Sequence, residues 1–131
     1  MSIESLISRD LLRTTADATL PDVAATMISM ASGSVLVFDG QKLVGVITLR
    51  DIVRAALTER DITEVRVETY MTTQPWVVSP AWSVSEVAAR MINHGIEHVP
   101  VLQDGEVVGI LSAFDFVAYL ALQGKGEADA S

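Results

Sequence analysis

Two short segments of the chain each place a hydroxyl and a carboxylate three residues apart, directly after two branched apolar residues. The first contains Thr48 and Asp51, and the second contains Ser112 and Asp115. The apolar pair is typical of a buried strand, and the two polar residues are typical of the N-cap and N3 of a helix. Free N–H groups and the positive end of the helix dipole would lie there and favour an anion. A ligand-binding interpretation and a purely structural one therefore compete at both segments.

The composition excludes several classes of protein. The 131 residues, half of them hydrophobic, are enough for one average domain or two small ones. Cysteine is absent, so neither disulfides nor thiolate metal sites can form. The formal net charge of −8 argues against nucleic acid as a partner. No apolar run approaches the roughly 20 residues of a membrane span, and the start is unlike a signal peptide, so we expect a cytoplasmic protein without a membrane partner.

The two segments belong to a longer internal repeat. At an offset of 64 residues the two halves align without a gap from Thr19 and Ser83 to Val53 and Val117. Valine, methionine and glycine residues recur at matching places along this alignment. Because the unit is longer than a solenoid repeat and occurs only twice, the sequence predicts a pair of small units related by a pseudo-twofold axis.

Each copy is predicted to fold as strand, helix, strand, strand and helix. The first helix begins at a capping hydroxyl, Thr19 or Ser83, and we expect it to end at Gly33 in the first copy and Gly95 in the second. An Asp-Gly turn then joins two apolar strands into a hairpin, and the second helix follows the hydroxyl–carboxylate segment. The predicted fold class is therefore α/β (α+β), with two β-α-β-β-α units that fold as one module.

The predicted domain boundaries follow the repeat and the charged segment between its copies. We assign residues 1–62 to the first unit with its N-terminal segment, residues 63–69 to a linker, and residues 70–122 to the second unit. Residues 123–131 have nothing to bury and are predicted to be a disordered tail.

The ordered set of motifs resembles a tandem pair of CBS domains, the family named after cystathionine β-synthase. In the second copy, residues 70–75 (YMTTQP) resemble the family's opening MTxxP, and residues 95–101 (GIEHVPV) and 109–115 (GILSAFD) follow in family order and spacing. The first copy departs from this pattern, because it lacks the opening and has Leu36 where the family often has proline. The resemblance covers nearly the whole chain, from about residue 11 to residue 122.

The resemblance implies a regulatory sensor that binds an adenine-containing nucleotide, such as AMP, ADP or ATP, in clefts between the two units and signals to a protein partner. It implies that Asp51 and Asp115 accept hydrogen bonds from ribose hydroxyls, a role that suits carboxylates because they only accept. It also implies that Thr48 and Ser112 contact ribose or phosphate. The adenine would be lined by Thr14, Val35, Val78, Val99 and Pro100.

The two copies offer different cations for a phosphate, which the aspartates would repel. The first copy has Arg50, which is always charged and binds phosphate bidentately, where the second has Phe114. The second copy has His98 where the first has Ser34, and an imidazole binds phosphate better at lower pH. We therefore infer two inequivalent sites. In isolation, Arg50 would more often be a solvated surface charge, His98 an edge histidine, and each aspartate a helix cap worth about 1 kcal/mol.

The sequence holds no arrangement typical of catalysis. No nucleophile elbow surrounds a serine, no glycine-rich phosphate loop precedes a helix, and no cluster of His and Asp or Glu has zinc spacing. We therefore predict a protein without enzymatic activity, metal or resident cofactor. Three alternatives stay open: a sensor for S-adenosylmethionine, a sensor for NAD, and a dimerising interaction scaffold with vestigial ligand sites. The resemblance also implies a homodimer, since paired CBS domains often dimerise.

Overall fold

The chain folds into short helices and strands that form two compact units. The computed structural model describes residues 1–123 in full. We call the two units the Thr48 unit, which is Leu11–Pro75, and the Ser112 unit, which combines Met1–Asp10 with Trp76–Ser131. In chain order the elements are a 3-10 helix (Ile3–Leu6), β1 (Arg13–Thr14), α1 (Leu20–Met30), β2 (Ser34–Asp39), β3 (Lys42–Thr48), α2 (Leu49–Thr58), α3 (Val67–Tyr70), β4 (Thr72–Thr73), α4 (Val84–His94), β5 (His98–Gln103), β6 (Glu106–Ser112) and α5 (Ala113–Ala130).

The Thr48 unit is built on a four-stranded sheet with the order β1-β2-β3-β4. Strand β1 is parallel to β2, and the other two pairs are antiparallel. The β2–β3 hairpin places Ser34 opposite Thr48, at the point where β3 passes into α2. Branched side chains from the central strands and from α3 fill the core, where Val37, Ile47 and Val67 are each 0% exposed.

The Ser112 unit repeats this hairpin with β5 and β6. Its register places His98 opposite Ser112, which is the pairing of Ser34 and Thr48 moved by 64 residues. Two single bridges flank the hairpin, a parallel one from Val78 to Val101 and an antiparallel one from Ser8 to Ile110. These bridges stand where β1 and β4 stand in the Thr48 unit, so the internal repeat of the sequence is also a repeat of backbone pairing.

Each unit includes a segment from outside its own copy of the repeat. Residues 1–10 precede the first copy in the chain but belong to the Ser112 unit, and α3 precedes the second copy but belongs to the Thr48 unit. In the Ser112 unit, Ile3 is 0% exposed and its N–H donates to the carbonyl oxygen of Trp82 at 2.9 Å. In the Thr48 unit, Val67 of α3 occupies the equivalent place and is also 0% exposed. The predicted boundaries differ, since they join residues 1–10 to the first unit and treat residues 63–69 as a linker. The structure departs from them because apolar side chains of both segments are buried in these cores.

The ends of α1 and α4 show how local sequence sets the helices. Thr19 and Ser83 each accept a hydrogen bond from the backbone N–H of the N3 residue, at 3.4 and 3.1 Å, as predicted. Gly95 ends α4 in the left-handed conformation with φ of 63°. The end of α1 was predicted at Gly33, but Ala31 takes the left-handed conformation there, with φ of 50°. Ala31 is the repeat counterpart of Gly95, and the predicted end of α1 at Gly33 is wrong.

The predicted fold class is confirmed, with two mixed α/β units whose hairpins and helices repeat. Within the described part of the chain, no helix combines the length and apolar character needed to cross a bilayer. Of the predicted disordered tail, residues 123–131, helix α5 includes residues 123–130, and Ser131 lies outside the described residues.

Candidate functional site

Asp115 is fixed by Ser112 at the point where β6 passes into α5. Its Oδ2 atom accepts hydrogen bonds from the backbone N–H of Ser112 at 2.7 Å and from the Ser112 hydroxyl at 3.0 Å. The backbone N–H of Asp115 donates back to that hydroxyl at 3.3 Å. The segment folds this way because backbone N–H groups at a helix start lack helical partners, and a carboxylate at N3 reaches them. The Asp115 Oδ1 atom accepts no hydrogen bond from the residues described.

Thr48 and Asp51 form the same arrangement between β3 and α2, with one difference. The Asp51 Oδ2 atom accepts hydrogen bonds from the backbone N–H and the hydroxyl of Thr48, at 2.9 and 3.1 Å. Here the Oδ1 atom is also engaged, because Nη2 of Arg54 lies 3.2 Å from it. Asp51 is 5% exposed, whereas Asp115 is partly exposed. Both aspartates therefore cap helices, but only Asp115 keeps an oxygen that no described residue contacts with a hydrogen bond or ion pair.

The backbone donors at the two helix starts are partly used inside the units. The N–H of Leu49 donates to the carbonyl oxygen of Gly33 at 3.1 Å, and the N–H of Ala113 donates to the carbonyl oxygen of Glu97 at 2.8 Å. In α5 the N–H of the second residue, Phe114, has no partner among the described residues. One backbone donor is therefore available to an anion at the start of α5.

His98 lies beside this site, opposite Ser112 in the β5–β6 register. Burial lowers the pKa of His98 below its ordinary value of 6.5, and the negative charges of Glu97 and Asp115 offset part of that shift. The imidazole is therefore neutral at pH 7. A neutral imidazole can donate or accept a hydrogen bond, but it brings no positive charge to a phosphate. In the Thr48 unit the equivalent residue is Ser34, which is buried.

The residues predicted to line an adenine have mostly buried side chains. Val35 is 1% exposed, Val99 is 0% exposed, and Pro100 is among the fully buried residues. Val78 is 3% exposed, and its N–H donates to the carbonyl oxygen of Pro100 at 3.2 Å. Thr14, the last residue of β1, is partly exposed. The valines at 35, 78 and 99 belong to the two cores, and a role for any of these five residues towards a ligand stays a prediction.

Arg54 and Tyr70 lie at the site in the Thr48 unit although neither is among the predicted site residues. Besides its ion pair, Arg54 donates from Nη2 to the carbonyl oxygen of Tyr70 at 3.1 Å, and its guanidinium carbon lies 5.6 Å from the centroid of the Tyr70 ring. The local signal was the i, i+3 spacing of Asp51 and Arg54. Arg50, the cation predicted for this unit, is exposed at the second residue of α2.

The groups at the two segments suit binding through hydrogen bonds. In the part of the chain that the structure describes, no group of three His, Asp or Glu side chains is arranged to hold a metal ion. At Ser112 and Asp115 the available groups are one carboxylate oxygen, one backbone N–H and a neutral imidazole nearby.

The model of the CBS-domain family matches the chain twice, over residues 3–58 and 67–122. The chain belongs to the CBS-domain family. It is a tandem CBS pair, and each match contains one hydroxyl–carboxylate segment.

Solved structures of other CBS proteins have the same fold. A CBS-domain protein from Burkholderia ambifaria MC40-6 is 30% identical with a TM-score of 0.87, and the likeness covers 92% of this chain and 93% of that one. The CBS domain NE2398 is 26% identical with a TM-score of 0.87, covering 92% and 98%. The CBS domain pair of protein MJ0100, solved in complex with 5′-methylthioadenosine and S-adenosyl-L-methionine, is 26% identical with a TM-score of 0.82, covering 92% and 99%.

The similar curated proteins are longer than this chain. Protein MJ1225 of Methanocaldococcus jannaschii is 28% identical over 119 residues, which are 90% of this CBS pair and 42% of that protein. A 17.7 kDa protein of Acidianus ambivalens is 37% identical over 106 residues, which are 79% of this chain and 63% of that one. The chain thus spans less than two thirds of the length of either relative.

Proposed function

We propose that this CBS pair is a regulatory module that binds an adenine nucleotide, AMP, ADP or ATP, at Ser112 and Asp115 and signals to a protein partner. The observation that carries the proposal is the unengaged Oδ1 atom of Asp115, on a partly exposed carboxylate whose other oxygen is held by Ser112. The adenosine-containing ligands bound by the similar pair of MJ0100 support this class of ligand.

The ribose of a nucleotide matches the groups that Asp115 presents. A vicinal diol offers two O–H donors, and an ionised carboxylate offers only acceptor lone pairs. Hydrogen bonds to a charged acceptor are the stronger ones, and Ser112 already holds the Asp115 carboxylate in place, so little side-chain freedom is lost on binding. An oriented acceptor of this kind favours a sugar over a purely apolar ligand.

A phosphate would need donors of its own, because the charge of Asp115 repels it. The Ser112 hydroxyl hydrogen is already donated to Asp115, so that hydroxyl is a poor phosphate donor. The N–H of Phe114 is the backbone donor at hand, and neutral His98 adds a hydrogen bond without charge. Among the three nucleotides, these features of the Ser112 unit favour AMP, which carries the least negative charge.

Thermal unfolding of the whole chain tests the proposal. The panel is AMP, ADP, ATP, NAD and S-adenosylmethionine, each at millimolar concentration, with Asp115→Ala and Glu106→Ala as paired variants. A ligand at 100 times its Kd should add about 2.7 kcal/mol of stability to the wild type and to Glu106→Ala, an exposed carboxylate of the same unit. It should add nothing to Asp115→Ala. No shift of the wild type with any compound would reject the proposal.

Exposed apolar residues favour a second candidate, a dimerising interaction scaffold. Ile28 on α1 and Ile92 on α4 are repeat counterparts, and they are 82% and 80% exposed. In the Thr48 unit a hollow of about 350 Å³ opens beside Ile28, between α1 and α2. Large exposed apolar surfaces are typical of protein interfaces, and a second copy of the chain would cover the same surface on both partners.

Light scattering separates the two candidates. The scaffold predicts a dimer whose mass falls to that of a monomer in Ile28→Lys and Ile92→Lys, with no response to nucleotide in the thermal panel. The sensor predicts the nucleotide response whether or not the chain is a dimer. A monomeric wild type would contradict the scaffold.

A further inference from the structure

We infer that Arg54 closes the Thr48 unit to a sugar, so that each chain binds one nucleotide, at Asp115 of the Ser112 unit. The inference rests on the proposed function, and it names which of the two repeated carboxylates is open to a ligand. The sequence predicts two inequivalent ligand sites. We infer instead that the site at Asp115 is open and that Arg54 occupies the site at Asp51.

Arg54 is held where a ligand hydroxyl would have to bind. Its Nη2 atom lies 3.2 Å from Oδ1 of Asp51, the oxygen whose counterpart in Asp115 is unengaged. The same nitrogen donates to the carbonyl oxygen of Tyr70 at 3.1 Å, and the guanidinium carbon is 5.6 Å from the Tyr70 ring centroid. Tyr70 is 8% exposed and its hydroxyl donates to Glu59, so the surface that supports Arg54 is itself fixed.

The Ser112 unit lacks both halves of this arrangement. The repeat counterpart of Arg54 is Ala118, which has no donor group. The counterpart of Tyr70, 64 residues earlier, is Leu6 in the 3-10 helix, which has no aromatic ring to support a cation. The closure is therefore a property of the Thr48 unit alone.

The burial of Asp51 and the charge of Arg54 both favour their contact over a contact with a ligand hydroxyl. Asp51 is 5% exposed and its two oxygens together accept from Thr48 and Arg54. The Arg54 side chain is 57% exposed, so the pair is not wholly buried, but a neutral ribose hydroxyl that replaced Arg54 would still take the cation away from a carboxylate with little access to water. At Asp115 no ion pair has to be broken among the described residues.

Isothermal titration of AMP into the whole chain tests this assignment by counting sites. The wild type should bind one AMP per chain, and Asp115→Ala should bind none. Arg54→Ala should bind two per chain, because Asp51 then keeps an oxygen for a second ribose. Arg54→Lys should stay at one, since it restores the cation. Arg60→Ala, which removes an exposed arginine from the same unit, is the charge-matched control and should also stay at one.

The reverse exchange tests the same point without depending on the folding of the Arg54 variant. Ala118→Arg places a guanidinium three residues after Asp115 and should lower binding at least tenfold. Circular dichroism should show that each variant keeps its helix content. Two equal sites in the wild type, or one site in a folded Arg54→Ala, would overturn the inference while leaving the proposed function standing. Absence of AMP binding by the wild type and by Arg54→Ala would overturn both.

Discussion

Gly109 lies so close to Ile7 that a methyl group at Gly109 would overlap the Ile7 Cγ2 atom and come within 2.7 Å of the carbonyl oxygen of Ser8. The N-terminal segment therefore rests directly on β6, the strand that ends at Ser112. In the Thr48 unit, Gly45 makes the equivalent approach to Met71, where a methyl group would lie 2.8 Å from the sulfur. Both glycines precede a hydroxyl–carboxylate segment by three residues, so these close contacts help to fix the strands that carry the site.

Replacement of Gly109 by alanine should destabilise the protein by about 1–3 kcal/mol, because the added methyl group overpacks the contact with residues 7 and 8. Urea unfolding measures this cost. In the Ile7→Ala background the cost of Gly109→Ala should fall, since one of the two clashing atoms is gone. Gly45→Ala is the control, and its cost should not change with Ile7→Ala. An equal cost of Gly109→Ala in both backgrounds would contradict the placement of residues 1–10.

The end of helix α1 offers a stabilising change. Ala31 holds the left-handed conformation with φ of 50°, which costs a residue with a Cβ about 1–2 kcal/mol and costs glycine almost nothing. Ala31→Gly should therefore raise the free energy of unfolding by about 1 kcal/mol, measured as a higher urea midpoint. The counterpart change Gly95→Ala should lower it by about the same amount. Loss of stability in both variants would contradict the left-handed end of α1.

His98 should make stability depend on pH near neutrality. Because burial keeps its pKa in the folded protein below 6.5, the unfolded chain binds the proton first as the pH falls. Its contribution is therefore complete above pH 6.5, decreases as the pH falls through that value, and stops changing below the folded pKa. The charges of Glu97 and Asp115 oppose the shift and limit the loss.

Urea unfolding at pH 7.5 and 5.5 tests this dependence. His98→Gln should lose less stability between the two pH values than the wild type does. His94→Gln, which removes the exposed imidazole at the end of α4, is the matched control. A pH dependence that is the same in the wild type and in His98→Gln would contradict a partly buried His98 whose pKa is lowered.

The features that follow from local spacing could be predicted from the sequence. The caps at Thr19 and Ser83, the two hairpins and the hydroxyl–carboxylate pairs all depend on residues within a few positions of each other. The repeat also predicted the family and the fold, because the same ordered motifs occur twice in the chain.

The remaining features depend on contacts between residues far apart in the chain. Ile3 is buried beside Trp82, and a mixed N-terminal sequence does not reveal which core will receive it. The i, i+3 spacing of Asp51 and Arg54 is evident in the sequence. The sequence does not show that Arg54 also contacts the carbonyl oxygen and the ring of Tyr70, 16 residues further along the chain. The sequence also does not show how far His98 is buried, and this burial is what lowers its pKa.

The measurement that most directly tests the central claim is the affinity of the wild type and of Asp115→Asn for AMP and for 2′-deoxy-AMP. If Asp115 accepts a hydrogen bond from the ribose 2′-hydroxyl, loss of that hydroxyl should weaken binding to the wild type about 10- to 100-fold, since a hydrogen bond to a charged group contributes roughly 1.5–3 kcal/mol. In Asp115→Asn the two nucleotides should bind with affinities within a few-fold of each other. The same discrimination in the variant as in the wild type would show that Asp115 does not bind the sugar, and would contradict the account.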